Sequence, residues 1–379
     1  MLPALAINAV LMMAAALALW LSAVQPPQLA AHVALALGVG PLILAAIAHF
    51  VPVLGRGEGA PRCLQVTALA AWAGGALIVA GFAGLLPQPG AELAAAALAG
   101  TAALTLLAWT ARRARRCLGR PHPGLAWYLA ALGFLDAALV AVPLMSLWPE
   151  QRQALRLFHL HANLLGFVGL TAIGTLQVLL PTAAGRADPS AAVRLKTDLK
   201  FAVAGAAAIA VGAAWSPPLA IVGALLYAIP PLRMGWRWRT AFPDWINCRH
   251  GAAPSLVAAC VGLIFLVLAG IGHALNHLSG QDAVAGFIAA FLLPLITGAA
   301  SQLLPVWLRP GVKLPWHDRM REALGRHALL RSLLLVAGGI IAALGHPAGL
   351  WLTAAGVMLF AAALMAALAT NLRTKKNPG

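Results

Sequence analysis

The chain has 379 residues, 61% of them hydrophobic and only 9% charged, with a formal net charge of +16. Soluble proteins carry roughly 25% charged residues, so the composition excludes a soluble globular domain, and the basic balance reads as the positive-inside bias of membrane proteins, with no nucleic-acid partner. Four cysteines, Cys63, Cys117, Cys248 and Cys260, form no CxxC pair, which argues against both a disulfide framework and a thiolate zinc site.

Apolar runs long enough to cross a bilayer core recur throughout. They predict about twelve transmembrane helices, at 3–24, 28–54, 64–86, 91–111, 125–148, 157–182, 199–215, 217–234, 252–273, 283–308, 327–345 and 348–370. The first run lacks a basic n-region and an A-x-A site, so it reads as a membrane helix and not as a cleaved signal. Spans seven and eight are short because Ser216, Pro217 and Pro218 divide them. The runs are continuously apolar, rich in Ala and Leu, and too long for barrel strands. The expected class is all-α integral membrane, a single polytopic domain over 1–379, in contact with the lipid bilayer.

Basic residues orient it. All but Arg152 and Arg156 of the 26 lysines and arginines fall on one side. That predicts cytoplasmic termini in a bacterial-type inner (plasma) membrane. The two exceptions lie where positive charge is otherwise avoided, which predicts a specific partner for them.

The second and tenth spans end alike, as "PLILAAIAHFVPVL" (Pro41–Leu54) and "PLITGAASQLLPVWL" (Pro294–Leu308), with prolines eleven residues apart in both. In the sixth span Pro181 follows His161 by twenty residues, as Pro52 follows His32. Spans 2, 6 and 10 therefore read as three copies of one helix, in repeat-like blocks of approximately 1–120, 121–235 and 236–379. The expectation is twelve helices as three pseudo-threefold arcs of four, with any shared site at the repeat interface.

Six of the eleven histidines fall on the outer side in this topology: His32, His159, His161, His273, His277 and His346. Imidazole is a common ligand for transition metals and haem iron. His159 and His161, two apart, face nearly opposite ways on a helix and address different sites. His273 and His277, at i and i+4, would share a face and one metal. Arg152 and Arg156 suit carboxylates such as haem propionates. The plain alternative is that histidines at helix ends need no ligand in the headgroup region. Of the inner histidines, His49 stands apart, one turn before Pro52 within its span. Asp136, midway along the fifth span, is either functional, as an intramembrane carboxylate, or a protonated acid hydrogen-bonded in the bundle. Asn163, Gln177 and Gln302 read as helix–helix hydrogen-bonding residues.

The stretch "LFHLHANLLGFVGLTAIGTLQVLLPTAAGR" (Leu157–Arg186) resembles the second helix of the nitric oxide reductase and C-type oxidase branches of the haem-copper oxidase superfamily. There a "LHTN" sequence heads a long apolar helix, and its histidine ligates a low-spin haem. It is similar also to the "HxHE…FGF" helix of NnrS, a twelve-span haem- and copper-containing membrane protein associated with nitric oxide metabolism. "GAASQLLPVWLR" (Gly298–Arg309) is similar to a second NnrS helix end. The resemblance implies a haem-copper oxidase subunit I-like fold and a haem cofactor, with copper as a second candidate. His161 and His32 would be the first ligands, His159 next, and a respiratory complex or redox partner would be the associate. It implies a role in nitric oxide or respiratory metal metabolism. The motif departs from the family: Ala162 and Asn163 replace the glutamate of "HxHE", and the motif falls on the sixth span where the relatives carry it on the second. The usual oxygen-reducing ligand set is incomplete, so the enzyme class stays open and a proton-pumping oxidase is rejected. Two other readings remain: a metal or small-solute transporter using Asp136, and a cofactorless assembly factor for a respiratory complex.

Overall fold

The computed structural model describes residues 1–24, 26–117, 119–241, 243–244 and 250–376; Cys248 lies outside them. The described chain is helical, without strands, and has twelve helices long and apolar enough to cross a membrane. In chain order these are α1 (Leu2–Leu21), α2 (Pro27–Leu54), α3 (Arg62–Phe82), α4 (Gln88–Arg115), α5 (Gly124–Leu147), α6 (Pro149–Ala183), α7 (Ala191–Trp215), α8 (Pro217–Ala241), α9 (Ala253–Ala274), α10 (Gly280–Leu308), α11 (Pro315–Ala343) and α12 (Ala348–Ala369). The protein is thus an all-helical multi-pass membrane protein, its exposed Leu, Val, Met and Trp side chains suited to lipid contact.

Four helices outrun the predicted spans. α6 begins at Pro149, α7 at Ala191 and α11 at Pro315, and α8 continues to Ala241. Apolarity marks the part of a helix inside the bilayer, whereas the helix itself continues through charged residues such as Arg194, Lys196 and Arg237, which are good helix formers. α8 even runs through Pro230 and Pro231. α11 is interrupted at 325–327, where His327 takes a left-handed backbone with φ of +54°.

The helices group into two compact units. The first comprises Met1–Gln177, Pro189–Arg233 and Val267–His277; the second comprises Val178–Asp188, Met234–Leu266 and Leu278–Gly379. Within the first, Gly75 of α3 lies against the backbone of Ala36 and Leu37 in α2, and Gly205 of α7 lies against Tyr227 of α8. Asp198 of α7, fully buried, meets Arg233 of α8 at 2.7 Å. In the second, Gly262 of α9 and Gly339 of α11 both lie against Ala290 of α10, and Gly338 of α11 against Gly349 of α12. Without a hydrophobic force between helices in lipid, such close approach over small residues is what holds neighbours together.

Three helices differ from the rest. α2, α6 and α10 each contain a π-helical segment, Val33–Val39, Ala162–Gly169 and Phe287–Leu292 respectively. They are also the most buried, 50%, 78% and 78% over their best membrane windows, against 33–44% for the other nine. The segments begin 19, 19 and 18 residues before Pro52, Pro181 and Pro305. The helices that share proline spacing in the sequence therefore share a backbone irregularity at the same place.

The α2–α3 contact is directly testable. Gly75→Val should lower stability by about 1–3 kcal/mol through overpacking against the α2 backbone. Gly59→Val, in a loop where a Cβ meets nothing within 4 Å, should stay within about 0.5 kcal/mol of wild type. Thermal unfolding of the detergent-purified variants reads both.

Candidate functional site

His32 and His161 each end a regular α-helical stretch, and the residue after each begins a π segment. Both rings make the same bond: Nδ1 lies 2.8 Å from the carbonyl four residues back, that of Gln28 for His32 and of Leu157 for His161. A ring nitrogen facing a carbonyl must carry the proton, so each imidazole is the Nδ1–H tautomer when neutral. Nε2 then keeps its lone pair. Neither Nε2 has a hydrogen-bond partner among the described residues. A ring fixed by one nitrogen and open at the other is the arrangement of a metal-ligating histidine, whose second nitrogen is anchored by a backbone carbonyl.

The π segments need support of their own. An i→i+5 turn leaves a carbonyl without its usual amide partner, and in a membrane helix that group has to be satisfied inside the protein. In α2 the Leu37 carbonyl accepts a 2.9 Å bond from Asn8 Nδ2 of α1. In α6 the Leu165 carbonyl, which already accepts the Leu170 amide, takes a further 2.8 Å bond from the Tyr227 hydroxyl of α8. Sequence reading passed over both donors. A polar residue amid an apolar run, Asn8 in α1, was the available signal; for Tyr227 the only one was its rarity, as one of two tyrosines in the chain.

His159 and His161 turn to different neighbours, as their spacing predicts. The Nδ1 of His159 lies 2.8 Å from the Ala138 carbonyl of α5. Its Nε2 lies 3.3 Å from Asn163 Nδ2, which also donates a 2.8 Å bond to the His159 carbonyl. His159 and His32 are electrostatic neighbours, and both line one cavity of about 170 Å³ among α2 to α6. Glu92 and Asn163 complete its polar lining, and the rest is Ala, Gly, Leu, Ile, Pro, Val and Phe. Gln88 Nε2 donates a 2.9 Å bond to the Glu92 carboxylate. His161 is instead an electrostatic neighbour of His273. Of these histidines, His32 and His159 share one cavity lining, and His161 and His273 lie outside it.

The other expected site residues fall as follows. Arg152 and Arg156 are exposed at the start of α6, and neither makes a hydrogen bond or ion pair among the described residues. The shared helical face of His273 and His277 does not exist: α9 stops at Ala274, Asn276 takes a φ of +62°, and His277 leaves the helical register and is exposed. Asp136 is not hydrogen-bonded in the bundle; its buried Oδ2 has no partner. The three amides do not bridge helices either. Asn163 bonds within its own turn. Gln177 is fully buried with no partner for either polar atom, and the Gln302 side chain has none among the described residues. His49 and His346 are exposed. Among the described residues no three His, Cys, Asp or Glu side chains gather closely enough to hold a metal by themselves.

No protein-family model matches the chain, and no curated protein matches it. The residues therefore have to carry the chemistry. His161, anchored through Nδ1 and open at Nε2 among the described residues, has the donor chemistry that could hold haem iron. The His32–His159 cavity is below the roughly 300–1,000 Å³ of sites for drug-sized ligands, so it suits a small occupant and not a macrocycle.

The support of the α6 π segment makes a coupled pair. A Cβ added at Gly169 would overlap the Tyr227 hydroxyl. Tyr227→Phe should cost about 1 kcal/mol through the lost bond to Leu165, and Gly169→Ala about 1–3 kcal/mol through the overlap. With the hydroxyl gone the nearest Tyr227 atom is Cζ, 3.4 Å away, so the double variant should be more stable than the sum of the singles. A double-mutant cycle on unfolding measures the difference.

Proposed function

We propose that the protein is a haem-binding membrane protein related to NnrS and to subunit I of haem-copper oxidases, lacking a complete oxygen-reducing centre and acting in nitric oxide or respiratory metal metabolism. The observation that carries this reading is His161 itself, with Nδ1 tied to the Leu157 carbonyl and Nε2 free among the described residues. His161 would be the residue that holds the haem iron, with His273 a candidate for a second ligand. Arg152 and Arg156, exposed and unpaired, would hold the propionates by charge-assisted hydrogen bonds. A haem bound there supplies a one-electron iron centre. The Leu157 carbonyl would fix the orientation of the His161 ring and leave Nε2 as the ligating nitrogen.

Three arcs of four helices, with α2, α6 and α10 as equivalent members, form the architectural part of the reading. Its support is the common spacing of π segment and proline together with the burial of these three helices. The third copy departs from the other two. Gly286 stands where His32 and His161 do, so a threefold scaffold would carry histidines in two arcs only. The outer face of a bacterial-type inner membrane, with cytoplasmic termini, is the placement that the charge distribution favours.

One observation favours a second reading. The Asp136 carboxylate, without a partner inside α5, suits a transporter that loads a proton or cation midway through the membrane. The two readings separate on one preparation. Purified from haem-replete cells, the protein should show a Soret band that His161→Ala abolishes or shifts. A colourless preparation, with uptake in proteoliposomes that Asp136→Asn abolishes, would replace haem binding by transport.

A further inference from the structure

We propose that the arginines of the α2–α3 loop and the end of α4 form a binding surface for anionic phospholipid headgroups. The segments 55–64 and 112–122 hold seven arginines and one acid, Glu58, a net charge of +6 with His122 neutral. Arg56, Arg62, Arg112, Arg115, Arg116 and Arg120 are exposed. None of them, nor Arg113, forms an ion pair among the described residues. Basic residues elsewhere in the chain do have acidic partners. Asp244 meets Arg186 at 2.9 Å, Asp198 meets Arg233 at 2.7 Å, and Asp318 meets Lys313 at 3.0 Å and Arg321 at 3.3 Å. The α2–α4 surface is left positive, so its counter-charge comes from outside the chain.

The two segments are fastened side by side. Arg113 Nη2 donates to the Glu58 carbonyl, and Cys117 Sγ donates a 3.5 Å bond to the Gly55 carbonyl. Gly57 leaves the room that the Arg113 guanidinium occupies, since a Cβ there would overlap it. A cation in the last turn of α4 complements the helix dipole, but that does not account for Arg56 and Arg62 on the facing loop. The depth of the surface selects a lipid. α4 has 28 residues, about 42 Å at the rise of an α-helix, against a bilayer core of about 30 Å. Its ends therefore reach the headgroup layers. Val53 of α2, Val66 and Leu69 of α3 and Leu104 of α4 are exposed on the same elements. Guanidiniums beside exposed aliphatic side chains match an amphiphile that carries its phosphate next to acyl chains. A soluble polyanion would leave the aliphatic part uncovered. Guanidinium holds phosphate oxygens by charge-assisted bonds, and basic clusters beside a membrane helix attract anionic lipids.

The test uses the full-length protein, delipidated in detergent and titrated with phosphatidylglycerol or, separately, phosphatidylcholine of the same chains. Native mass spectrometry reads the lipids retained. Phosphatidylglycerol should bind more tightly, and raising the ammonium acetate concentration should narrow the difference. The triple variant Arg112→Gln/Arg115→Gln/Arg116→Gln should lower phosphatidylglycerol affinity roughly 5-fold or more, the equivalent of the about 1 kcal/mol that one basic residue contributes at an anionic surface. The corresponding triple Lys variant should keep the preference. Arg186→Gln/Lys313→Gln, which removes cations that have acidic partners, should leave it unchanged. Inorganic phosphate should displace the lipid no better than chloride at equal ionic strength. If the Gln triple variant fails to insert, the wild-type comparison of the two lipids and its salt dependence carry the test. Equal affinity for both lipids, equal loss in the two Gln variants, or selective displacement by inorganic phosphate would overturn the assignment, the last by giving the surface to a free anion.

Discussion

The constraint on which the structure depends is that lipid offers no hydrogen bonds to a backbone. Every amide and carbonyl in the core of the bilayer has to be paired within the protein. An ordinary α-helix meets that demand alone. The π segments of α2 and α6 each draw a further side-chain donor from a neighbour, Asn8 of α1 and Tyr227 of α8. Those bonds tie helices together at the places where the histidines emerge. A polar residue in an apolar helix is costly, and here the cost is offset by the carbonyl that it satisfies.

A π turn also changes what a helix presents. Each extra residue rotates everything beyond it by roughly 100° relative to an uninterrupted helix. His32 and His161 sit just before the irregularity and Pro52 and Pro181 in the last turns after it, so the two ends of each helix are set independently. A straight helix with the same sequence would carry its histidine and its far end in fixed rotation. The segment lets the turns before it orient an imidazole while the turns after it pack.

Much of the fold was legible from apolarity alone. Spans one to five, nine, ten and twelve match the helices closely because hydrophobic length is the same quantity that the bilayer selects. The extended starts of α6, α7 and α11 were not legible that way, since charged residues outside the bilayer continue a helix without an apolar signature. The spacing of His32 and His161 to their prolines was readable; the π turns between them were not, because no residue type encodes an i→i+5 bond. The opposite facing of His159 and His161 followed from helical geometry, and the partners did not. His159 shares a cavity with His32 through tertiary placement, which spacing within one helix cannot supply. The same geometry misled at His277, where it assumed a helix that ends three residues earlier.

The histidines differ in what anchors them, and the difference bears on rigidity. His32 and His161 hold carbonyls of their own helices, so each ring moves with its own backbone. His159 holds the carbonyl of Ala138 in a different helix, so its ring direction reports the placement of α5 against α6. The cavity that His32 and His159 line is therefore tied to three helices: α2 through Gln28, α6 through the main chain of His159, and α5 through Ala138. Any shift of α5 would be felt at Nε2 of His159 first. Asp136 lies two residues before Ala138 on that same helix, pointing to the other side by the helical rotation.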